Sequence, residues 1–181
     1  MTNLYLQEIM SELKLAVTER NHPLKFCVLG SIGSDNSSQT RIIGLRKITN
    51  NLTLTFYTDE RSNKVSQILK NPNVSLLFYH PEKKMQIKID GKASIVKDQD
   101  LLKEKWLNIN SESKKDYTTT KAPGSILENP SELTFLKEKN YFCIIEVKTK
   151  TVEYLKLRET SHFKVLFNKD INGWTSQFLV P

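Results

Sequence analysis

One turn of this 181-residue chain is crowded with Arg61, Ser62 and Lys64, with Thr58 just before it and a further cation, Arg41, at the start of an earlier strand-like run. Residues 61 to 70 carry Val65, Ile68 and Leu69 at helical spacing, and the Asn71-Pro72 pair stops the run, so Arg61, Ser62 and Lys64 fall in the first turn of a short helix. Free backbone N–H groups and the positive end of the helix dipole point the same way at such a start. With basic side chains added, the place suits an anion, and a phosphate in particular.

Around that turn lie residues that could hold a flat polar ring. Gly44 interrupts the strand-like run RIIGLRKI, which marks either a bulge or a contacting ligand. Tyr57 and Thr58 end the strand LTLTFYT, and Gln86 sits in the alternating segment MQIKIDG. Other chemistries find little support. The sequence contains no carboxylate pair, nucleophile elbow, Walker loop or zinc spacing, so hydrolase and kinase readings have nothing to stand on. His162, in SHFK, has the titration range of a general acid or base, though a single strand histidine serves structure equally well. His22 and His80 adjoin prolines in turns and are expected to face water.

The elements that must position these groups read mainly as strands. Residues 3 to 19 place Leu6, Ile9, Met10, Leu13, Ala16 and Val17 on one helical face, opposite Glu8, Glu12 and Glu19. LKFCVLGSIG, TRIIGLRKI, LTLTFYT, NVSLLFYH and KKMQIKIDGKASIV follow as strands separated by polar turns. Residues 98 to 138 form a helical and loop insertion: DQDLLKEKWLNI helical, NSESKKDYTTTKAPGS a polar loop, SELTFLKEK a short helix. Residues 141 to 181 return to strands, with Gly173 at a hairpin turn. The expectation is one domain over 1–181, mainly β with flanking helices (α+β), closed as a six-stranded antiparallel barrel.

Composition sets bounds. The formal charge is +7, from 27 Lys and Arg against 20 Asp and Glu, but the lysines are scattered among acids, which reads as a solvated face rather than a nucleic-acid groove. No apolar run approaches the roughly 20 residues that span a bilayer, and the N-terminus lacks a signal-peptide pattern, so a cytoplasmic protein without membrane contact is expected. Cys27 and Cys143, without CxxC spacing and each in an apolar run, read as buried free thiols; no metal site is expected.

The order RIIGLR, FYT, DERSNK, NP, SLLFY, MQIKIDG resembles the pyridoxamine 5'-phosphate oxidase superfamily of FMN-binding split barrels, most closely its oxidase-related branch. The resemblance implies FMN held by Arg41, Arg61, Ser62 and Lys64 at its phosphate, by the backbone of Ile42, Ile43, Gly44 and Leu45 along its ring, and by Arg46, Tyr57, Thr58, Gln86 and Lys164 around it. It also implies a homodimer sharing two flavins, with Gln86 reaching across the interface, and a small-molecule redox substrate or NAD(P)H as hydride donor. Departures stand beside the likeness. Asn63 takes the place of an arginine in the phosphate turn, and Arg46 the place of a lysine. The tyrosine, arginine and serine that hold the substrate phosphate in true oxidases fall near Trp106, Asn110 and Ser113 or Lys114, and an arginine is replaced by Thr160 beside His162 and Lys164. A substrate other than pyridoxamine phosphate is the consequence. The same barrel could serve as a non-catalytic, stress-related flavin module or hold haem on His80 or His162; an oligonucleotide-binding barrel lacks its row of stacking aromatics.

Overall fold

The computed structural model describes residues 2–159 and 161–181. Helix α1 (Asn3–Thr18) leads through a 3-10 turn (Pro23–Lys25) into strands β1 (Phe26–Ile32), β2 (Ser38–Ile48) and β3 (Thr53–Asp59). Helix α2 (Asn63–Lys70) precedes β4 (Asn73–His80) and β5 (Met85–Ile95). Helices α3 (Gln99–Leu107) and α4 (Ser111–Lys114) come next, and β6 (Phe142–Lys156), β7 (Phe163–Asp170) and β8 (Gly173–Leu179) complete the chain.

All strand pairs are antiparallel, in the order β3-β2-β1-β4-β5-β6-β7-β8. Pairing of β3 with β6, from Thr53↔Lys148 to Asp59↔Phe142, closes the first six into a barrel. The length of β6 makes this possible: its first half pairs β3 and its last six residues pair β7, so β7 and β8 leave the barrel as an added hairpin. The expected six-stranded split barrel is thus present, with two strands appended.

Alternation along the strands builds the core. In β4, Val74, Leu76, Phe78 and His80 face inward while their neighbours are more exposed. Leu29, Leu45, Leu54, Phe56, Ile87, Ile89, Ile145 and Val147 fill the interior, and α1 adds Ile9, Leu13 and Ala16. Each fully buried Leu, Ile, Val or Phe side chain among them contributes about 1.5–3 kcal/mol through its burial. At the β5 bulge between Asp90 and Gly91, a Cβ on Gly91 would run into the carbonyl oxygen of Lys148, so close backbone approach requires glycine there.

Four expectations need correction. Leu69 is exposed rather than inward, because α2 begins at Asn63 and is short enough for Val65 and Ile68 alone to meet the barrel. SELTFLKEK does not form a helix. It holds only a 3-10 turn (Pro130–Glu132), capped by Asn129, and Phe135 makes a single bridge with Thr119. Glu12 is not on the solvent face of α1 but buried. His22 and His80 are buried with it, and the two rings meet edge to face 5.6 Å apart.

Candidate functional site

The start of α2 is where the cations gather. Ser62 is its N-cap, but the hydroxyl donates back to Asp59 O at 2.7 Å, so no side chain caps the first turn. Lys64 reaches from that turn to Thr58, its Nζ donating to Oγ1 at 3.0 Å. Arg41, on β2, donates to Ser31 Oγ, to Gln39 O at 3.1 Å and to Gln67 Oε1 at 2.9 Å. None of these partners is anionic. Burial and the neighbouring Arg41 charge hold the Lys64 ammonium below the usual lysine range, and burial likewise lowers Arg41. Arg41 and Lys64 are two partly buried cations that repel each other; Asp59 attracts Lys64 and also lines the groove below, but neither cation has a carboxylate in ion-pair contact among the described residues.

A groove of about 250 Å³ runs from this site along β2, lined by Ile42, Gly44, Arg46, Tyr57, Thr58 and Lys64 among others. Side chains of Ile43 and Leu45 point into the core, so β2 offers the groove its backbone at those positions, while Ile42 lies outside at 64% exposure. Gly44 is in regular register with Phe26; the bulge falls two residues later, where Arg46 is the extra residue between Leu45↔Phe56 and Lys47↔Thr55. Bulges re-aim side chains. Here the Arg46 guanidinium comes over the Tyr57 ring, 5.6 Å from its centroid.

Arg61 lies elsewhere. Its guanidinium grips Asp59 through Nε at 3.0 Å and Nη2 at 2.6 Å, donates to the carbonyls of Thr119 and Thr120, and covers the Tyr141 ring. The charge is spent on Asp59, and the side chain ties the 119–120 segment to the turn.

Gln86 and Lys164 stand apart from the groove. Gln86↔Leu155↔Lys164 form one row across β5, β6 and β7, and Lys164 pairs with Glu153 at 3.2 Å. Thr58 adjoins Cys143 on β6, twelve residues before Leu155, a strand path of roughly 40 Å. His162 accepts from Arg158 N through Nδ1 in an exposed segment, and Thr160 lies outside the described residues.

Sequence reasoning missed Tyr117. It is buried against Trp106 and Phe142 and lines both the groove and an adjoining pocket of about 140 Å³ with Arg46, Tyr57, Asn110 and Ser113. The available signal was that it is the single aromatic in an otherwise polar loop. Burial of Cys143 pushes its thiol up to about 11, which leaves it a protonated wall rather than a nucleophile.

One cluster has metal-ligand types: Glu12, His22 and His80, whose ligand atoms all lie within 4.8 Å of one another. Their hydrogen bonds favour another reading. His22 Nδ1 accepts from Leu24 N and His80 Nδ1 from Lys83 N, so in each neutral ring the proton sits on Nε2, facing Glu12 Oε2 at 3.5 and 3.8 Å. Protonated nitrogens cannot ligate. The cluster joins α1 to the barrel, and the commitment of His80 within it disfavours that residue as an iron ligand.

A closed six-stranded antiparallel barrel with added strands and flanking helices is the split-barrel fold of FMN-binding proteins. It overlays a pyridoxamine 5'-phosphate oxidase-related, FMN-binding protein from Nostoc punctiforme with a TM-score of 0.80, at 17% identity and covering 96% of both chains. PhzG from Burkholderia lata, solved with tetrahydrophenazine-1-carboxylic acid, gives 0.79 at 19% identity, covering 97% of this chain and 92% of that one. The profile of the pyridoxamine 5'-phosphate oxidase family matches residues 14–156, and the chain belongs to that family. Among curated relatives, the pyridoxine/pyridoxamine 5'-phosphate oxidase of Psychrobacter cryohalolentis is 41% identical over 63 residues, which are 35% of this chain and 29% of that enzyme. That of Chromobacterium violaceum is 38% identical over 68 residues, 38% of this chain and 32% of the enzyme. The matched stretch thus spans about a third of these relatives. No helix among the described residues is long and apolar enough to cross a membrane.

Proposed function

We propose that this protein binds FMN in the β2 groove and acts, as a homodimer, as a flavin-dependent oxidoreductase on a small molecule other than pyridoxamine phosphate. The observation that carries the reading is the pairing of Lys64 and Arg41, two partly buried cations with no carboxylate in ion-pair contact with either among the described residues, at an uncapped helix start. A phosphate dianion supplies the missing charge. The backbone of Ile42 to Leu45, open at Gly44, then takes the flat ring, with Tyr57 and Arg46 at its border. FMN, when bound, supplies two-electron redox chemistry with an organic donor or NAD(P)H; the chain supplies charge, position and exclusion of water.

Two features support a second copy. Gln86 and Lys164 are too far along β6 from Thr58 to meet the same flavin within one chain, so a role for them at the cofactor needs a partner. Beside the groove, Phe26, Ile42, Leu77 and Tyr79 on neighbouring strands are all between 40% and 64% exposed, an apolar face that a second chain would cover. The pocket beside the groove favours turnover over a passive flavin carrier.

The visible absorption spectrum of the purified protein tests the cofactor, with flavin released by boiling and identified by chromatography. FMN in about one copy per chain is the expected result; a colourless protein that fails to take up FMN would sink the reading. Saturable oxidation of pyridoxamine 5'-phosphate at micromolar concentration would overturn the substrate part alone.

A further inference from the structure

We infer that the outer face of the barrel carries a second small-molecule site, separate from the flavin groove, that takes a phosphorylated polyol such as a sugar phosphate. It is a cavity of about 510 Å³ formed by the end of β1, the start of β2, the start of β4 and the middle of β5, about twice the volume of the flavin groove. That size falls within the roughly 300–1,000 Å³ of small-molecule sites. The two cavities share no lining residue, so the inference does not rest on the flavin reading.

Short side chains make the depression. One row, Thr40↔Gly30↔Ser75↔Asp90, crosses β2, β1, β4 and β5 and leaves the face low. The neighbouring row, Ile42↔Val28↔Leu77↔Lys88, is bulkier and leads into the apolar face assigned to a second copy. On the other side the sheet opens. Strands β1 and β4 pair only from Val28↔Leu77 to Gly30↔Ser75, so no ladder joins Ser31 and Ile32 to Asn73 and Val74, and all four line the cavity.

The lysines at its edge call for an anion. Lys92 on β5 stands directly opposite Lys148 on β6, a like-charge pair that costs stability unless something negative joins it. Lys150 is the extra residue of the β5–β6 bulge, between Asp90↔Thr151 and Gly91↔Thr149, and it lines the cavity with Lys92. None of these lysines has a carboxylate in ion-pair contact among the described residues. The acids nearby are engaged or stand apart. Asp90, the single carboxylate among the lining residues, bonds Lys88 at 2.8 Å and accepts from Ser75 Oγ. Asp35, in the β1–β2 turn, accepts from Ser37 Oγ at 2.6 Å, and Glu146, two residues before Lys148, is not among the lining residues. Arg41 reaches Ser31 Oγ from the flavin side and adds to the positive field.

Neutral polar groups make up most of the remaining wall. Ser38 and Thr40 have hydroxyls without a side-chain hydrogen bond among the described residues, and the amides of Gln39 and Asn73 lie beside them. No aromatic ring lines the cavity, so a nucleobase would have nothing on which to stack. Cations for a phosphate and hydroxyl and amide groups for a polyol are what the wall offers.

Calorimetric titration with glucose 6-phosphate, inorganic phosphate and AMP, with and without saturating FMN, tests this. Glucose 6-phosphate is expected to bind at least about tenfold more tightly than either comparison, and equally well in the presence of FMN. Lys92→Gln and Lys150→Gln, both at exposed positions, are each expected to weaken it by about tenfold while FMN affinity stays as in the wild type. Displacement of glucose 6-phosphate by FMN would assign it to Lys64 and Arg41 instead and overturn the inference. So would inorganic phosphate or AMP binding as tightly, no binding at millimolar glucose 6-phosphate, or an unchanged affinity in both variants. A protein that takes up no FMN yet binds glucose 6-phosphate in this pattern keeps the second site and removes the flavin reading.

Discussion

The Arg61 guanidinium lies 3.4 Å from the centroid of the Tyr141 ring while two of its nitrogens hold Asp59. The contact joins the turn before α2 to the segment entering β6, and it separates two arginine roles that lie close in sequence. Arg41 faces neutral partners beside Lys64, whereas Arg61 is neutralised where it stands.

Lys64→Ala is therefore expected to weaken FMN by about tenfold to a hundredfold, the worth of one charge-assisted hydrogen bond, and riboflavin hardly at all. Arg61→Ala is expected to lower both affinities by a similar small factor and to reduce thermal stability, since it loosens the 119–120 segment. Fluorescence titration with the two flavins separates these outcomes. Equal loss of FMN and riboflavin in Lys64→Ala would remove the phosphate assignment.

Burying a carboxylate between copies costs several kcal/mol without a partner charge. Ile42→Asp, on the apolar face beside the groove, is accordingly expected to shift the protein from dimer toward monomer in light scattering at micromolar concentration. FMN retention should fall with it, because Gln86 and Lys164 of a second copy would no longer be present. A monomeric wild-type protein that holds FMN tightly would contradict the shared site.

The barrel was legible because its strands alternate, as in Val74, Leu76 and Phe78 of β4, and because Asn71-Pro72 and Gly173 punctuate the chain. The insertion was less so. In SELTFLKEK the apolar residues are few, and with no barrel face against which to pack, propensity alone did not make a helix. Single-sequence reading placed the cations at the α2 start but could not tell that Asp59, two residues before Arg61, would take its charge. Nor could it pair Glu12 with His22 and His80, which meet only when α1 folds onto the β4–β5 end of the barrel. A histidine beside a proline in a polar turn carries no mark of such burial.

That cluster makes stability depend on pH. Burial lowers the His80 pKa from its ordinary value of 6.5, against the opposing attraction of Glu12; Lys83 and His22 add to the lowering, and Glu82 opposes it. A histidine whose folded pKa is depressed stabilises the fold fully above the unfolded value, and that contribution is lost as pH falls from 6.5 through the folded value. The geometry agrees: protonation of His80 would put a second donor at Nδ1, where Lys83 N already donates. The melting temperature is expected to be higher at pH 7.5 than at pH 5.5, and the difference to shrink in His80→Gln, whose amide oxygen can still accept from Lys83 N but does not titrate. Thermal denaturation followed by circular dichroism at the two pH values measures this. An identical pH dependence in wild type and variant would show that His80 does not couple protonation to the seating of α1.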